Sequence, residues 1–159
     1  MKKLLWFIPL IIFMCSCETK KEDVETEKND YLVLKADLQE QEEYTKQEEL
    51  MCDITFSVDR TSEEEVSYRA IIDNPKEDMY NIKALLIHNY FTEDIFPSIG
   101  IFDETATLIA GGEEVRGISL VGYIETSKDI EELDLEMKVL IQYEDKDGKE
   151  KTIYYKATN

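Results

Sequence analysis

The clearest pattern in the chain is an alternation of apolar and polar residues that begins near residue 50 and continues to the C-terminus. A period of two residues is typical of a β-strand with one buried face. The sequence therefore predicts a series of short strands separated by turns. Six such runs precede a final pair, and they cover residues 54–58, 66–72, 80–86, 95–102, 105–109 and 114–124.

The final pair of strands is predicted to form a hairpin around Gly148. Glycine suits the left-handed position of a three-residue hairpin loop, and that loop places Asp145 opposite Lys149. A register shifted by one residue would set apolar side chains against polar ones. Leu140 breaks the alternation and predicts local cover on the outer face of its strand. The register places three apolar pairs across the hairpin: Ile141 with Ile153, Val139 with Tyr155, and Met137 with Ala157.

Many short strands without an amphipathic helix between them favour an antiparallel sandwich. We predict an all-β fold, a single antiparallel immunoglobulin-like β-sandwich of about seven strands that occupies residues 50–159. The stretch Asp73-Asn74-Pro75, the run 81–87 and Gly112-Glu113-Glu114 resemble small sandwich domains of the FxLyD type found in bacterial lipoproteins. The namesake motif is absent, so this resemblance implies the fold alone.

Residues 1–16 have the order of an export signal, with Lys2 and Lys3 before a continuous apolar run over 4–14. A membrane-spanning helix needs about 20 apolar residues, and this run is about half that length and contains Pro9. The run is therefore predicted to target the chain for export. It is too short to span the bilayer permanently.

The small residue Ser16 followed by Cys17 resembles a bacterial lipoprotein signal, in which the cysteine sulfur receives diacylglycerol and a peptidase cuts before it. The resemblance implies lipidation of Cys17 and a mature chain anchored on the extracytoplasmic face of the cell membrane. Met14 and Cys15 depart from the usual residues of this signal. An ordinary cleaved secretory signal is the alternative. The two acyl chains of the diacylglycerol group would hold the protein stably at the membrane, because a single acyl chain gives only marginal, reversible membrane binding.

Residues 17–30 are predicted to form the lipidated N-terminus and a disordered acidic tether, because Val24 is the only apolar residue between positions 18 and 30. Fully extended, such a tether reaches roughly 45 Å. Residues 31–49 are predicted to be a partly ordered linker. There, Asp37 and Glu40 favour a helix start, but the helix over 39–50 would lack a continuous apolar stripe, so helix, strand and coil stay open.

The chain is strongly acidic, with 18 Lys and Arg against 36 Asp and Glu among 159 residues, a formal net charge of −18. Loss of residues 1–16 removes two lysines and lowers this charge to −20. Phosphate binding needs clustered basic side chains, so nucleic acid is not an expected partner.

The sequence predicts no enzyme, no cofactor and no metal site. His88 is the lone histidine and is interpreted as a packing residue at a strand end, which leaves a hydrolase triad without a base. Cys52 is interpreted as a small buried hydrophobe, and one cysteine with one histidine cannot form a zinc site. The acids around Gly148 are similar to a calcium loop but lack EF-hand spacing, and the hairpin explains them.

An aromatic cluster between two predicted strands is the candidate contact patch, consisting of Tyr90, Phe91 and Phe96, with Phe102 nearby. Plugging one end of the core is the alternative use of these rings.

Two functions follow from these observations. The first is a noncatalytic protein-interaction module, anchored on the membrane, that contacts another protein of the bacterial cell envelope. The second is an acidic lipoprotein that sequesters a cationic ligand, an antimicrobial peptide or a metal ion, at the membrane surface.

Overall fold

The computed structural model describes residues 19–90, 95–112 and 117–158. The predicted signal segment, Cys17 and Phe91 lie outside the described residues. Short 3-10 turns cover Gln47–Glu49 and Ile130–Glu132. The helix and the strands, in chain order, are α1 (Thr19–Glu40), β1 (Asp53–Ser62), β2 (Glu65–Asp73), β3 (Met79–His88), β4 (Ser98–Ile99), β5 (Ala106–Leu108), β6 (Ile118–Glu125), β7 (Glu136–Glu144) and β8 (Glu150–Thr158).

The strands form two antiparallel sheets. One sheet has the order β1-β2-β6, and the other has the order β4-β3-β7-β8, with β5 also paired to β3. This connectivity is that of an immunoglobulin sandwich, in which strands A, B and E share one sheet and strands C, F and G share the other. Here β1, β2 and β6 take the places of A, B and E, and β3, β7 and β8 take those of C, F and G. The predicted fold is confirmed. The structure has eight strands because two very short ones, β4 and β5, lie along β3.

The main core lies between the two sheets and is built from the inward-facing positions of every long strand. β2, β6 and β7 largely alternate buried and more exposed residues, as the sequence pattern predicts, whereas β3 is buried on both faces from Ala84 to His88. Burial of this apolar surface is the main force that stabilises the fold. The fully buried members include Val66, Tyr68, Ala70, Ile72, Met79, Ile82, Ala84, Leu86, Ile124, Val139 and Ile141.

The predicted hairpin register is confirmed at all three apolar pairs. Gly148 has a φ of 73°, the left-handed conformation that the loop requires. The backbone N–H of Asp145 donates to the Lys149 carbonyl over 3.0 Å. In return, the Asp145 carboxylate accepts hydrogen bonds from the N–H groups of Asp147 and Lys149, and these bonds lower the pKa of Asp145.

The N-terminal segment differs from the sequence prediction. Residues 19–30, predicted as a disordered tether, are the first half of α1. Residues 31–49, predicted as a partly ordered linker, are divided between the second half of α1 and an irregular segment with one 3-10 turn. The reason is a stripe at positions i, i+3 and i+7, formed by Tyr31, Leu34 and Leu38, which is buried on the sandwich. The packed unit therefore begins well before residue 50.

The helix covers the outer face of the β3–β7 sheet and creates a second, smaller core. The cover predicted above Leu140 is this helix. Tyr154 donates from its hydroxyl to Asp37 over 2.6 Å, and burial together with that carboxylate raises the pKa of Tyr154 to about 12. The cluster comprises Tyr31, Leu34, Leu38, Leu85, Ile87, Phe96, Ile101 and Leu140, with Tyr154 packed against it.

Cys52 is expected to be unreactive in the folded protein. Its side chain is buried, with the residue only 1% exposed, and burial, with a further contribution from Asp53, raises the pKa of its thiol to about 11. Because only the thiolate reacts, the thiol of Cys52 is expected to react very slowly at pH 8. In a chain with Cys15 and Cys17 changed to serine, a disulfide reagent should label Cys52 only after denaturant is added. Rapid labelling of the native protein would contradict the buried position.

Candidate functional site

The candidate site is an open cleft at one side of the sandwich, between the outer edge of β6 and the segment that carries β4. It has a volume of about 550 Å³. We call it the side cleft. It lies between the edges of the two sheets, because β6 ends one sheet and β4 ends the other. The residues that line it are Ile95, Phe96, Pro97, Ser98, Phe102, Asp103, Gly122 and Tyr123.

Three aromatic rings form a buried ladder behind the side cleft. The His88 ring meets the Tyr68 ring edge-on at 4.7 Å and the Phe96 ring edge-on at 5.1 Å. His88 also accepts a hydrogen bond at Nδ1 from the backbone N–H of Tyr90. A side chain at Gly122 would overlap the Tyr68 ring, so glycine lets that ring lie against the backbone of β6. The ladder fixes the floor of the cleft, and His88 is a packing residue as predicted.

Apolar side chains are unusually exposed at the side cleft. Ile95 is 63% exposed, Tyr123 is 55% exposed and Phe102 is 41% exposed. Tyr31 supports this surface from below, with its ring 5.3 Å from that of Phe102. Singly exposed apolar residues are normal in soluble proteins, whereas several around one concave surface mark an interaction site.

The structure corrects the predicted contact patch. Phe96 is only 2% exposed, because it is enclosed by the helix cluster, its backbone N–H donates to the Tyr31 hydroxyl over 2.8 Å, and the Lys35 ammonium lies 4.8 Å from its ring centre. Tyr90 is partly buried against the main core and is hydrogen-bonded to Thr126. Core plugging, the alternative, describes both rings.

The accessible apolar surface is formed by neighbours of the predicted patch. Phe102 belongs to the aromatic cluster predicted from the sequence, whereas Ile95 and Tyr123 do not. The sequence pattern could have identified Tyr123 as an exposed aromatic residue, because it occupies an outward-facing position of a predicted strand, where a polar residue is expected. Ile95 was placed in the strand predicted over 95–102, but only Ser98–Ile99 of that run forms a strand, so the exposure of Ile95 in the preceding loop had no sequence signal.

A polar network ties the turn before β3 to the β7–β8 hairpin, away from the side cleft. Glu77 accepts hydrogen bonds from the Tyr143 hydroxyl and the Lys151 ammonium, both over 2.7 Å. These bonds lower the pKa of Glu77, whereas burial and the carboxylate raise the pKa of Tyr143. Lys151 also lies 3.3 Å from Asp145. The network therefore ties the turn before β3 to the hairpin through paired charges.

The opposite side of the sandwich, between β1 and β8, is only partly covered and holds a cleft of about 330 Å³. The Phe56 and Tyr155 rings stack at 5.9 Å across the gap. Beside them, the N–H of Thr45 donates to the Tyr154 carbonyl over 2.7 Å, and the Tyr155 hydroxyl donates to Gln47 over 2.8 Å. The segment after α1 therefore lies along the edge of β8.

Comparisons of the chain with protein-family models, with curated proteins and with solved structures give no match. Among the residues that the structure describes, no three His, Cys, Asp or Glu side chains are grouped to hold a metal ion. Over the same residues, no helix combines the length and the apolar character needed to cross a membrane.

Proposed function

We propose that this protein is a membrane-anchored, extracytoplasmic lipoprotein that acts as a noncatalytic protein-interaction module in the bacterial cell envelope. The observation that carries the interaction role is the side cleft, where three apolar side chains stay exposed beside the edge of a strand. The lipoprotein-like order of residues 1–17 supports the anchor. Concave apolar surfaces with a few polar groups are typical sites of recognition.

The proposal predicts site-specific capture of a partner. A photoreactive residue placed at Ile95 in the full chain, activated in native membranes, should crosslink one dominant protein. The matched position is Val33 on α1, which is 59% exposed against 63% for Ile95 and lies outside the side cleft. Capture from Ile95 alone is the expected result, read by mass spectrometry. Equal yields of crosslinked product from Ile95 and Val33 would show nonspecific contact rather than specific recognition at the side cleft.

The anchor has its own control. Cys17→Ala removes the predicted acyl acceptor, so labelled fatty acid should be incorporated into the unchanged chain and not into the variant. A variant that still incorporates the label, or an unchanged chain that does not, would overturn the lipoprotein proposal and leave the interaction role to be judged by the capture alone.

Sequestration of a cationic ligand is the second candidate, and the formal charge of −18 favours it. Binding driven by that charge should weaken steeply between low and physiological salt, because exposed charges are screened over about 8–10 Å under physiological conditions. A cationic peptide whose affinity does not depend on salt would exclude this candidate.

A further inference from the structure

We propose that the outer edge of β6 accepts an extended, basic segment of a partner polypeptide as an added strand, with its alternate apolar side chains entering the side cleft. This inference rests on the proposed interaction role and gives it a geometry and a partner chemistry. Addition of a strand to a sheet edge is a recurrent mode of peptide recognition, in which backbone hydrogen bonds give affinity and pockets for alternate side chains give specificity.

The described structure leaves the outer edges of β1 and β6 unpaired, and β6 is the less protected of the two. Within the described residues, β6 pairs only with β2, and its eight residues carry no charge before Glu125. Natural edge strands are protected by shortness, charge or cover. The other edges show such protection. β4 has two residues, β8 is bonded to Thr45, and β1 carries Asp53, Asp59 and Arg60.

The position beside β6 is one that other immunoglobulin-like sandwiches fill. In the constant type, a further strand of the same sheet pairs with the strand that corresponds to β6. Here the chain instead places β5 against β3 in the opposite sheet. An added segment would thus complete a four-stranded sheet and bury Ile95, Phe102 and Tyr123, the side chains that the fold leaves exposed.

Acidic side chains outnumber basic ones around the cleft, where Lys35 lies over the Phe96 ring, and this excess favours a basic partner. Asp103 lines the cleft, Glu104 is exposed beside it, and Glu125 ends β6 next to Glu65 of β2. Arg69, aligned with Val121, is the one cation that the register places beside the strand. A second copy of this chain would bring the same net charge of −18, and like charges disfavour that pairing.

A peptide titration tests the proposal. The protein is the chain from residue 17 onward with Cys17→Ser, which contains every described residue and carries no acyl group. The probe is a fluorescent eight-residue peptide of alternating lysine and valine. One comparison peptide replaces lysine by glutamate. Another keeps the lysine–valine sequence but methylates alternate backbone nitrogens, which removes the hydrogen-bond donors of a strand. Each comparison peptide should bind at least tenfold more weakly.

A pair of double variants locates the binding. Ile95→Lys with Tyr123→Lys should weaken binding of the lysine–valine peptide at least tenfold. Leu32→Lys with Val33→Lys makes the same change of charge at exposed positions of α1, and it should alter the affinity less than twofold. Amide hydrogen exchange should show new protection in β6 when the peptide binds. Equal melting temperatures confirm that both variants fold.

Several outcomes would overturn the inference. Undiminished binding of the methylated peptide would exclude strand addition, and equal losses in the two double variants would reduce the effect to bulk charge. Concentration-dependent protection of β6 without peptide would make a second copy the occupant. No binding of any peptide would remove the edge as a site. A partner still captured specifically from Ile95 in membranes would then retain the interaction module while strand addition fails.

Discussion

Replacement of Leu38 by alanine is expected to lower the free energy of unfolding by about 3 kcal/mol, because buried leucine-to-alanine changes lose transfer free energy and leave a cavity. Leu38 is fully buried between α1 and the outer face of the β3–β7 sheet. The effect would show that α1 is an integral part of the fold. Urea denaturation monitored by circular dichroism measures it.

The same helix supplies a matched control. Leu32→Ala makes an identical chemical change, but Leu32 is 50% exposed. Because the change in helix propensity is the same, the difference between the two variants isolates the docking of α1 on the sheet. Leu32→Ala should cost about 0.5 kcal/mol or less. If the two variants were equally stable, the helix would not be packed as the structure shows.

Gly100→Ala is expected to destabilise the protein by about 3 kcal/mol through two separate causes. Gly100 has a φ of +73°, and the left-handed conformation costs about 1–2 kcal/mol for a residue with a Cβ. A Cβ there would also lie 2.5 Å from the carbonyl oxygen of Ile82 in β3, and relieving such overpacking typically costs about 1–3 kcal/mol. Thermal unfolding should show the loss as a lower melting temperature.

Gly111 separates these two causes. It has a similar φ of +69°, but a Cβ there would meet no atom within 4 Å. Gly111→Ala should therefore show the conformational cost alone, about 1–2 kcal/mol. Equal losses at the two positions would mean that the chain after β4 can move away from β3, and that the wall of the side cleft is less rigid than its contacts indicate.

The strands could be predicted from the sequence because their signals are local. In the β7–β8 hairpin, the turn residue Gly148 and the alternation of apolar residues specify the same register independently. Leu140 was also informative, since a buried residue on a polar face requires something to cover it. What covered it could not be deduced from that strand.

The helix escaped prediction because its apolar stripe is narrow. Tyr31, Leu34 and Leu38 have helical spacing, but charged residues precede them, and the capping signal at Asp37 comes after most of the stripe. Helices with so few apolar residues are stabilised by tertiary packing rather than by propensity. The burial of Phe96 was missed for the same reason, since the surface that encloses it is formed by α1.

The helix also changes how the domain would be held at a membrane. Beside the sheet, α1 runs from Asp30, 3.9 Å from Lys83, to Gln39, whose carbonyl is 3.5 Å from Lys138. Its first half therefore points toward the end of the sandwich that carries the β7–β8 hairpin. Twelve helical residues span about 18 Å, against roughly 40 Å for the same residues extended.

An anchor at Cys17 would then hold the domain through a short helical linker instead of a flexible tether. A flexible tether lets a domain rotate freely and sample a wide range of heights, whereas a helical linker restricts both the height and the tilt of the domain. The side cleft lies beside Phe96, which packs on His88 toward the end of the sandwich away from the β7–β8 hairpin, so it would be held at a restricted height above the membrane, which raises the effective concentration of partners at that height.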